Sequence, residues 1–293
     1  MRPRRALLLV NRRGRRGEQC LDDGLRVLGE AGIETETEAT HEPERIISAI
    51  QQRASQFDAV IIGGGDGTLS HALDAVLESG RPLGILPMGN ANDLARTLGI
   101  RADCTTACRI IAEGFTRRID VGWLNGGHFF NVASMGLSVR IARRLTRERK
   151  LRWGVLAYLG CAWEAMRERR SFYARITCDG ETYEWRSVQI AVGNGRFYGG
   201  GLTIVEDAAI DDGRLDLYGL PRVRGWRLLI LLPVLRWGRH RQVTDILSLH
   251  GREIRIETSR RLDINVDGEL RSSTPAWFRV VPRALEVFSP RMR

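Results

Sequence analysis

Short aliphatic runs alternate with amphipathic stretches over residues 1–120. Ala6–Val10, Ala59–Ile62 and Leu83–Leu86 are continuously apolar and bounded by Gly, Asn or Pro, the pattern of strands buried on both faces. Gln19–Ala31, Glu42–Ser55, Ser70–Ser79 and Asp93–Leu98 read as helices, and a second strand ends at Thr40. This alternation predicts a doubly wound α/β domain. After Asp120 the character changes. Phe129–Val132, Tyr173–Cys178, Thr182–Val192, Leu215–Gly219, Leu247–Leu249, Glu253–Thr258 and Leu262–Val266 are rich in β-branched and aromatic residues. With turns at Asp179-Gly180 and Asp267-Gly268, they predict an antiparallel β domain broken by helices near 137–169 and 223–237. A last strand, Ala284–Ser289, is free to pair with either part.

Composition changes this picture little. The chain has 293 residues, 43% of them hydrophobic, enough to bury a core. The five cysteines are scattered without CxxC spacing, which suits buried thiols in a reducing compartment. The apolar stretch Ala6–Val10 is short for a signal peptide, and the run Leu228–Leu235 is broken by Pro233, so a cytoplasmic protein is expected.

Charge adds more. The net +10 is nearly all arginine, Lys150 being the only lysine. Residues 2–16, 140–152 and 222–241 concentrate it, with Glu148 the only acid among them. Such patches attract nucleic acid or anionic membrane surfaces, or are simply solvated helix faces.

Candidate chemistry begins at Ala59–Leu77, which reads as strand, glycine turn, helix. Gly63-Gly64-Gly65-Asp66-Gly67-Thr68 lets the backbone approach a phosphate, and the following helix start offers N–H groups to its charge. Thr68 or Ser70 could cap that helix, while Asp66 supplies a carboxylate suited to Mg²⁺. The spacing fits neither a Walker A loop nor a GxGxxG fingerprint. A second turn, Gly89-Asn90-Ala91-Asn92-Asp93, also follows a strand and opens a helix. Two such turns would line one crevice at the carboxyl ends of the strands.

Gly64–Thr68 together with Pro87-x-Gly89-x-x-Asn92-Asp93-Leu94-Ala95-Arg96 resembles the diacylglycerol kinase catalytic domain, and more closely the soluble bacterial lipid kinases of that family. The likeness continues through Ile119–Gly122, Asn194-Gly195, Gly199–Gly201, Asp211–Asp216, Asp267-Gly268-Glu269 and Val281–Leu285. It implies an ATP-binding α/β domain over residues 1–122 plus 284–293, the last strand returning to it. A β-sandwich lipid domain would cover residues 123–283.

The resemblance also assigns residues. ATP would meet Asn11, Thr40, Gly64, Gly65, Asp66, Gly67, Thr68, Leu69, Ser70, His71 and Asn90. The opening segment Asn11-Arg12-Arg13-Gly14-Arg15 departs from the usual Asn-Pro-x-Ser-Gly, and Asn90 stands where threonine is common. Phosphoryl transfer to a lipid hydroxyl needs positioning, Mg²⁺ and a base. Glu269 is the expected base with Asp267 its close competitor, since two nearby carboxylates can shift each other's pKa. Asp66, Asp93 and Asp120 would surround the catalytic Mg²⁺. Asp212, with the carbonyls of Ala209 and Arg214, would hold a structural Mg²⁺, the alternative being an Asx turn.

The arginine-rich helix, with Arg140, Arg143, Arg144, Arg147 and Lys150 followed by Trp153, Tyr158 and Trp163, would bring the enzyme to an anionic membrane. The expected partners are thus a lipid substrate at a membrane surface and no nucleic acid, with a homodimer left open. The sequence also admits two alternatives: a NAD kinase-like enzyme, and a non-catalytic nucleotide- or lipid-binding protein of the same fold.

Overall fold

The computed structural model describes residues 3–11, 17–144, 171–195, 197–198, 202–203, 209–221 and 246–291. The helix expected near 223–237, most of the one near 137–169, Arg12–Arg15 and the aromatic cluster from Trp153 to Trp163 lie outside these residues.

The first part consists of β1 (Arg5–Asn11), α1 (Gly17–Glu30), β2 (Glu34–Thr40), α2 (Pro43–Arg53), β3 (Ala59–Gly64), α3 (Asp66–Ser79), β4 (Leu83–Pro87), α4 (Asp93–Thr97) and α5 (Cys104–Glu113). Its strands lie parallel in the order β2-β1-β3-β4. Leu7–Val10 and Val60–Ile62 are fully buried, as central parallel strands must be. The edge strand β2, Glu-Thr-Glu-Thr-Glu-Ala-Thr, is mostly exposed and its charges protect the sheet edge. Strand order reverses between β1 and β3, which puts the ends of these strands at a topological switch point.

The second part consists of β5 (Thr116–Leu124), β6 (Gly127–Phe129), β7 (Val132–Gly136), α6 (Leu137–Arg144), β8 (Phe172–Cys178), β9 (Glu181–Ser187) and β10 (Gln189–Gly193). There follow β11 (Phe197–Tyr198), β12 (Leu202–Thr203), β13 (Leu215–Leu220), β14 (Leu247–Gly251), β15 (Glu253–Thr258), β16 (Asp263–Val266), β17 (Glu269–Ser273) and β18 (Ala276–Phe288). One sheet has the order β14-β13-β10-β7-β16-β17. The other joins β18, β15, β8 and β9, with β5 beside β18. Phe129, Ile176, Val192, Leu217, Ile254 and Phe278 fill the sandwich core.

The last strand does return. Ala276–Arg279 pair with β15, and Val287 pairs in parallel with Leu83 of β4. A register shift between Val281 and Leu285, with Arg283 at φ 51°, marks the crossing. The boundary expected at residue 122 falls inside β5.

Several expected elements differ. Phe129–Val132 is not one strand but the junction of β6 and β7. Thr182–Val192 divides at Val188 into β9 and β10, which belong to opposite sheets. The helix expected from Ser70 begins at Asp66, inside the glycine motif.

Candidate active site

The two glycine turns touch. A Cβ placed on Gly89 would lie 2.6 Å from the Gly65 Cα, and one on Gly64 would strike the Thr68 side chain at 2.7 Å. Only glycine permits this backbone approach. Met88 N–H donates to the Gly64 carbonyl at 2.9 Å. Asn92, at φ 50°, closes the second turn on itself: its Oδ1 accepts from Gly89 N–H and its Nδ2 donates to Gly89 O, both at 2.9 Å. Asn90 is exposed at the rim.

Helix α3 starts from Gly65 with no side-chain cap. The capping role expected of Thr68 or Ser70 is therefore not observed. Thr68 Oγ1 accepts from Asn11 Nδ2 at 3.0 Å, and Ser70 Oγ donates to Asp267 Oδ2 at 3.0 Å. Uncapped N–H groups with the helix dipole behind them are the kind of helix end that receives anions. Leu69 contributes packing instead, since its side chain is buried in the core and its N–H is bonded to Gly65 O at 3.1 Å. Thr40 stands opposite Asn11 in the β1–β2 register, so Asn11, Thr40 and Thr68 gather at the switch point. Thr40 Oγ1 also accepts from Glu42 N–H at 3.0 Å.

One face of α3 meets the second part of the chain. Ser70, His71 and Asp74 recur at helical spacing. Ser70 reaches Asp267, His71 Nδ1 lies 3.3 Å from Glu269 Oε1, and Asp74 bonds His128 Nδ1 at 2.6 Å. The hydrogen bond from His128 holds the Asp74 carboxyl below its ordinary range.

Asp267 and Gly268 both take positive φ, as a tight two-residue hairpin between β16 and β17 requires. The Asp267 carboxylate is enclosed. Oδ1 accepts from Asn131 N–H at 2.9 Å and Val132 N–H at 3.0 Å. Oδ2 accepts from Phe130 N–H at 2.8 Å and from Ser70. A carboxylate has about four acceptor positions, so all are taken. Burial pushes this carboxyl above its usual range, against the pull of its backbone partners. Four donors thus surround the Asp267 carboxylate, the setting of an anchor. Glu269 differs: it is half-exposed and faces the start of α3, between His71 and Arg271.

The three-carboxylate set is not brought together. Asp120 is buried, with Oδ2 accepting from Gly213 N–H at 2.6 Å and Oδ1 from Arg283 N–H at 2.7 Å. It ties the β18 crossing to the turn before β13, and its charge also acts on Asp212. Asp66 does reach the start of α4, its Oδ1 accepting from Leu94 N–H, the residue after Asp93, at 3.2 Å. Among the described residues, no three acidic, His or Cys side chains are grouped closely enough to hold a metal.

Asp212 has local partners of its own. It accepts from Ala209 N–H at 3.4 Å and Arg214 N–H at 3.2 Å, and lies 3.1 Å from Arg214 Nε. Burial raises its pKa. This is an Asx-turn geometry with an arginine counter-ion. A cation there would first have to displace the guanidinium.

Sequence reasoning missed Arg271, which bridges Glu269 and Ser70. Its only signal was the two-residue spacing from Glu269 on a strand. Arg143 of α6 pairs with Asp263 of β16. Among the described residues no helix is long and apolar enough to cross a membrane.

Comparison with known proteins identifies the family. Residues 5–124 match the diacylglycerol kinase catalytic domain. Residues 131–289, just over half of the chain, match the YegS C-terminal NAD kinase beta sandwich-like domain. The chain is 28% identical over 277 residues to a diacylglycerol kinase of Staphylococcus epidermidis, covering 94% of this chain and 88% of the relative. It is 29% identical over 273 residues to one of Staphylococcus aureus, covering 92% and 87%. The crystal structure of a diacylglycerol kinase from Bacillus anthracis superposes with a TM-score of 0.82 at 26% identity, covering 99% of this chain and 98% of that one. The chain therefore belongs to the family that joins a diacylglycerol kinase catalytic domain to a YegS-type C-terminal domain, and it is a phosphotransferase with an alcohol group as acceptor.

Proposed function

We propose that this chain transfers the γ-phosphate of ATP to a hydroxyl group of a membrane lipid, with diacylglycerol, phosphatidylglycerol or a similar lipid alcohol as acceptor. The observation that carries the reading is the juxtaposition of an uncapped helix start with Glu269 across the junction of the two parts. The names of the relatives support a lipid acceptor.

In this reading the ATP phosphates lie against the backbone of Gly64–Thr68, with Asn11, Thr40, Ser70, His71 and Asn90 around the nucleotide. The lipid hydroxyl gives its proton to Glu269 as its oxygen forms the new bond to the γ-phosphorus. The bond to the β-phosphate oxygen breaks and ADP leaves. Asp66 and Asp93 fit Mg²⁺ only as a site with few protein ligands, the rest being phosphate and water oxygens. When bound, that ion neutralises charge on the phosphates. The arginine patches would bring a cytoplasmic enzyme to an anionic membrane surface, as a peripheral protein.

The test is incubation of purified protein with labelled ATP, Mg²⁺ and vesicles from a lipid panel, with NAD as a control. Label in an extractable lipid is expected. Label only in NAD would replace this reading with the NAD kinase one.

A further inference from the structure

Glu269 and Arg271 of β17 lie on one face in contact with each other, Arg271 being the residue passed over where the β16–β17 register shifts between Ile264 and Asn265; Leu270 is 48% exposed. The shared face looks onto the start of α3. There the Arg271 guanidinium reaches two partners at once. Its Nε lies 3.3 Å from Glu269 Oε2. Its Nη2 donates to Ser70 Oγ at 3.0 Å and its Nη1 to the Ser70 carbonyl at 3.4 Å. Ser70 is 3% exposed and donates its own hydrogen bond to Asp267, closing a ring through Ser70, Asp267, the hairpin, Glu269 and Arg271.

The remaining Glu269 oxygen lies 3.3 Å from His71 Nδ1, a nitrogen that also meets the Gly67 carbonyl at 3.2 Å, so the hydrogen bond that fixes the carboxylate is the one from Arg271. Asp74, one turn along α3, feels the same guanidinium charge.

We propose that Arg271 is the positioning residue of this enzyme, fixing the Glu269 carboxylate against the phosphate-binding end of α3. The inference rests on the reading of Glu269 as the base. Arg271 acts through Glu269 and Ser70, and its fork is what a single ammonium cannot reproduce. The stability of a partly exposed ion pair is no reason for the arrangement, because such pairs contribute little. Geometry is. A long carboxylate on an edge strand samples several rotamers unless held, and misplacement by about 1 Å can cost on the order of 100-fold in rate.

The experiment compares wild type, Arg271→Ala, Ser70→Ala and the double variant, with Arg271→Lys and Arg271→Gln as milder changes. Turnover, KM for ATP and urea midpoint are read for each. Arg271→Ala should lower kcat by about 10- to 100-fold while KM for ATP stays within about threefold. Arg271→Lys should recover part of that loss. The double variant should lose less than the product of the two single losses, because both break one arrangement. Wild-type kcat in Arg271→Ala, a loss confined to KM for ATP, or independent effects of the two substitutions would each overturn the proposal. Should Arg271→Ala fail to fold, wild-type kcat in Arg271→Gln would do so. If wild type labels no lipid, the underlying reading falls instead. The urea midpoints then still decide the strut, since additive Ser70 and Arg271 effects on stability would overturn it.

Discussion

The Ser70 hydroxyl, on the first helix after the glycine turn, donates to Asp267 in the second part of the chain at 3.0 Å. Three backbone N–H groups, from Phe130, Asn131 and Val132, complete the shell. Each buried donor left unpaired costs about 1–3 kcal/mol. Asp267→Ala should therefore lower stability by roughly 3 kcal/mol or more, seen as a lower urea midpoint. Inactivity at an unchanged midpoint would mean that Asp267 acts in chemistry after all.

Gly89 packs against Gly65 with no room for a methyl group. Gly89→Ala must push the two turns apart, at about 1–3 kcal/mol. Both turns border the proposed nucleotide site, so the thermal stabilisation by MgATP should shrink together with stability. A variant that melts early but keeps the full MgATP shift would separate the contact from nucleotide binding.

Asp74 is held below the ordinary carboxylate range, chiefly by its hydrogen bond with His128. A depressed carboxyl contributes stability that is present above its unfolded pKa and lost as pH falls through the folded value. The gap in unfolding midpoint between wild type and His128→Ala should thus be open at pH 6 and close as pH drops below about 4. A gap that widens on acidification would contradict the assignment.

Burial pushes the Cys178 thiol up to about 11. It should resist alkylation at pH 8 in the folded protein and react once urea exposes it. Mass spectrometry of the peptide containing Cys178 decides this, and rapid labelling of the native protein would count against the described sandwich core.

Local chemistry made much of this legible from sequence. The glycine turns, the parallel strands of the first part and the Asp267-Gly268 hairpin all announce themselves through residues adjacent in the chain. Helix α5 was readable but missed: Asp103 caps it by accepting from Thr106 N–H at 2.8 Å, and Gly114 ends it at φ 70°. What sequence hides is which distant groups occupy a carboxylate. Asp120 reads as a cleft acid until Gly213 and Arg283 are seen on its two oxygens. The partners of Asp267, and the span of Arg271 from Glu269 to Ser70, are similarly invisible before the sheets pair.

The most direct test of the central claim is lipid phosphorylation by Glu269→Gln beside wild type, at saturating MgATP and lipid. A general base is worth about 10²–10⁴-fold, so turnover should fall by at least about 100-fold while the urea midpoint and the MgATP thermal shift hold. A Glu269→Gln protein that labels lipid as fast as wild type would contradict it.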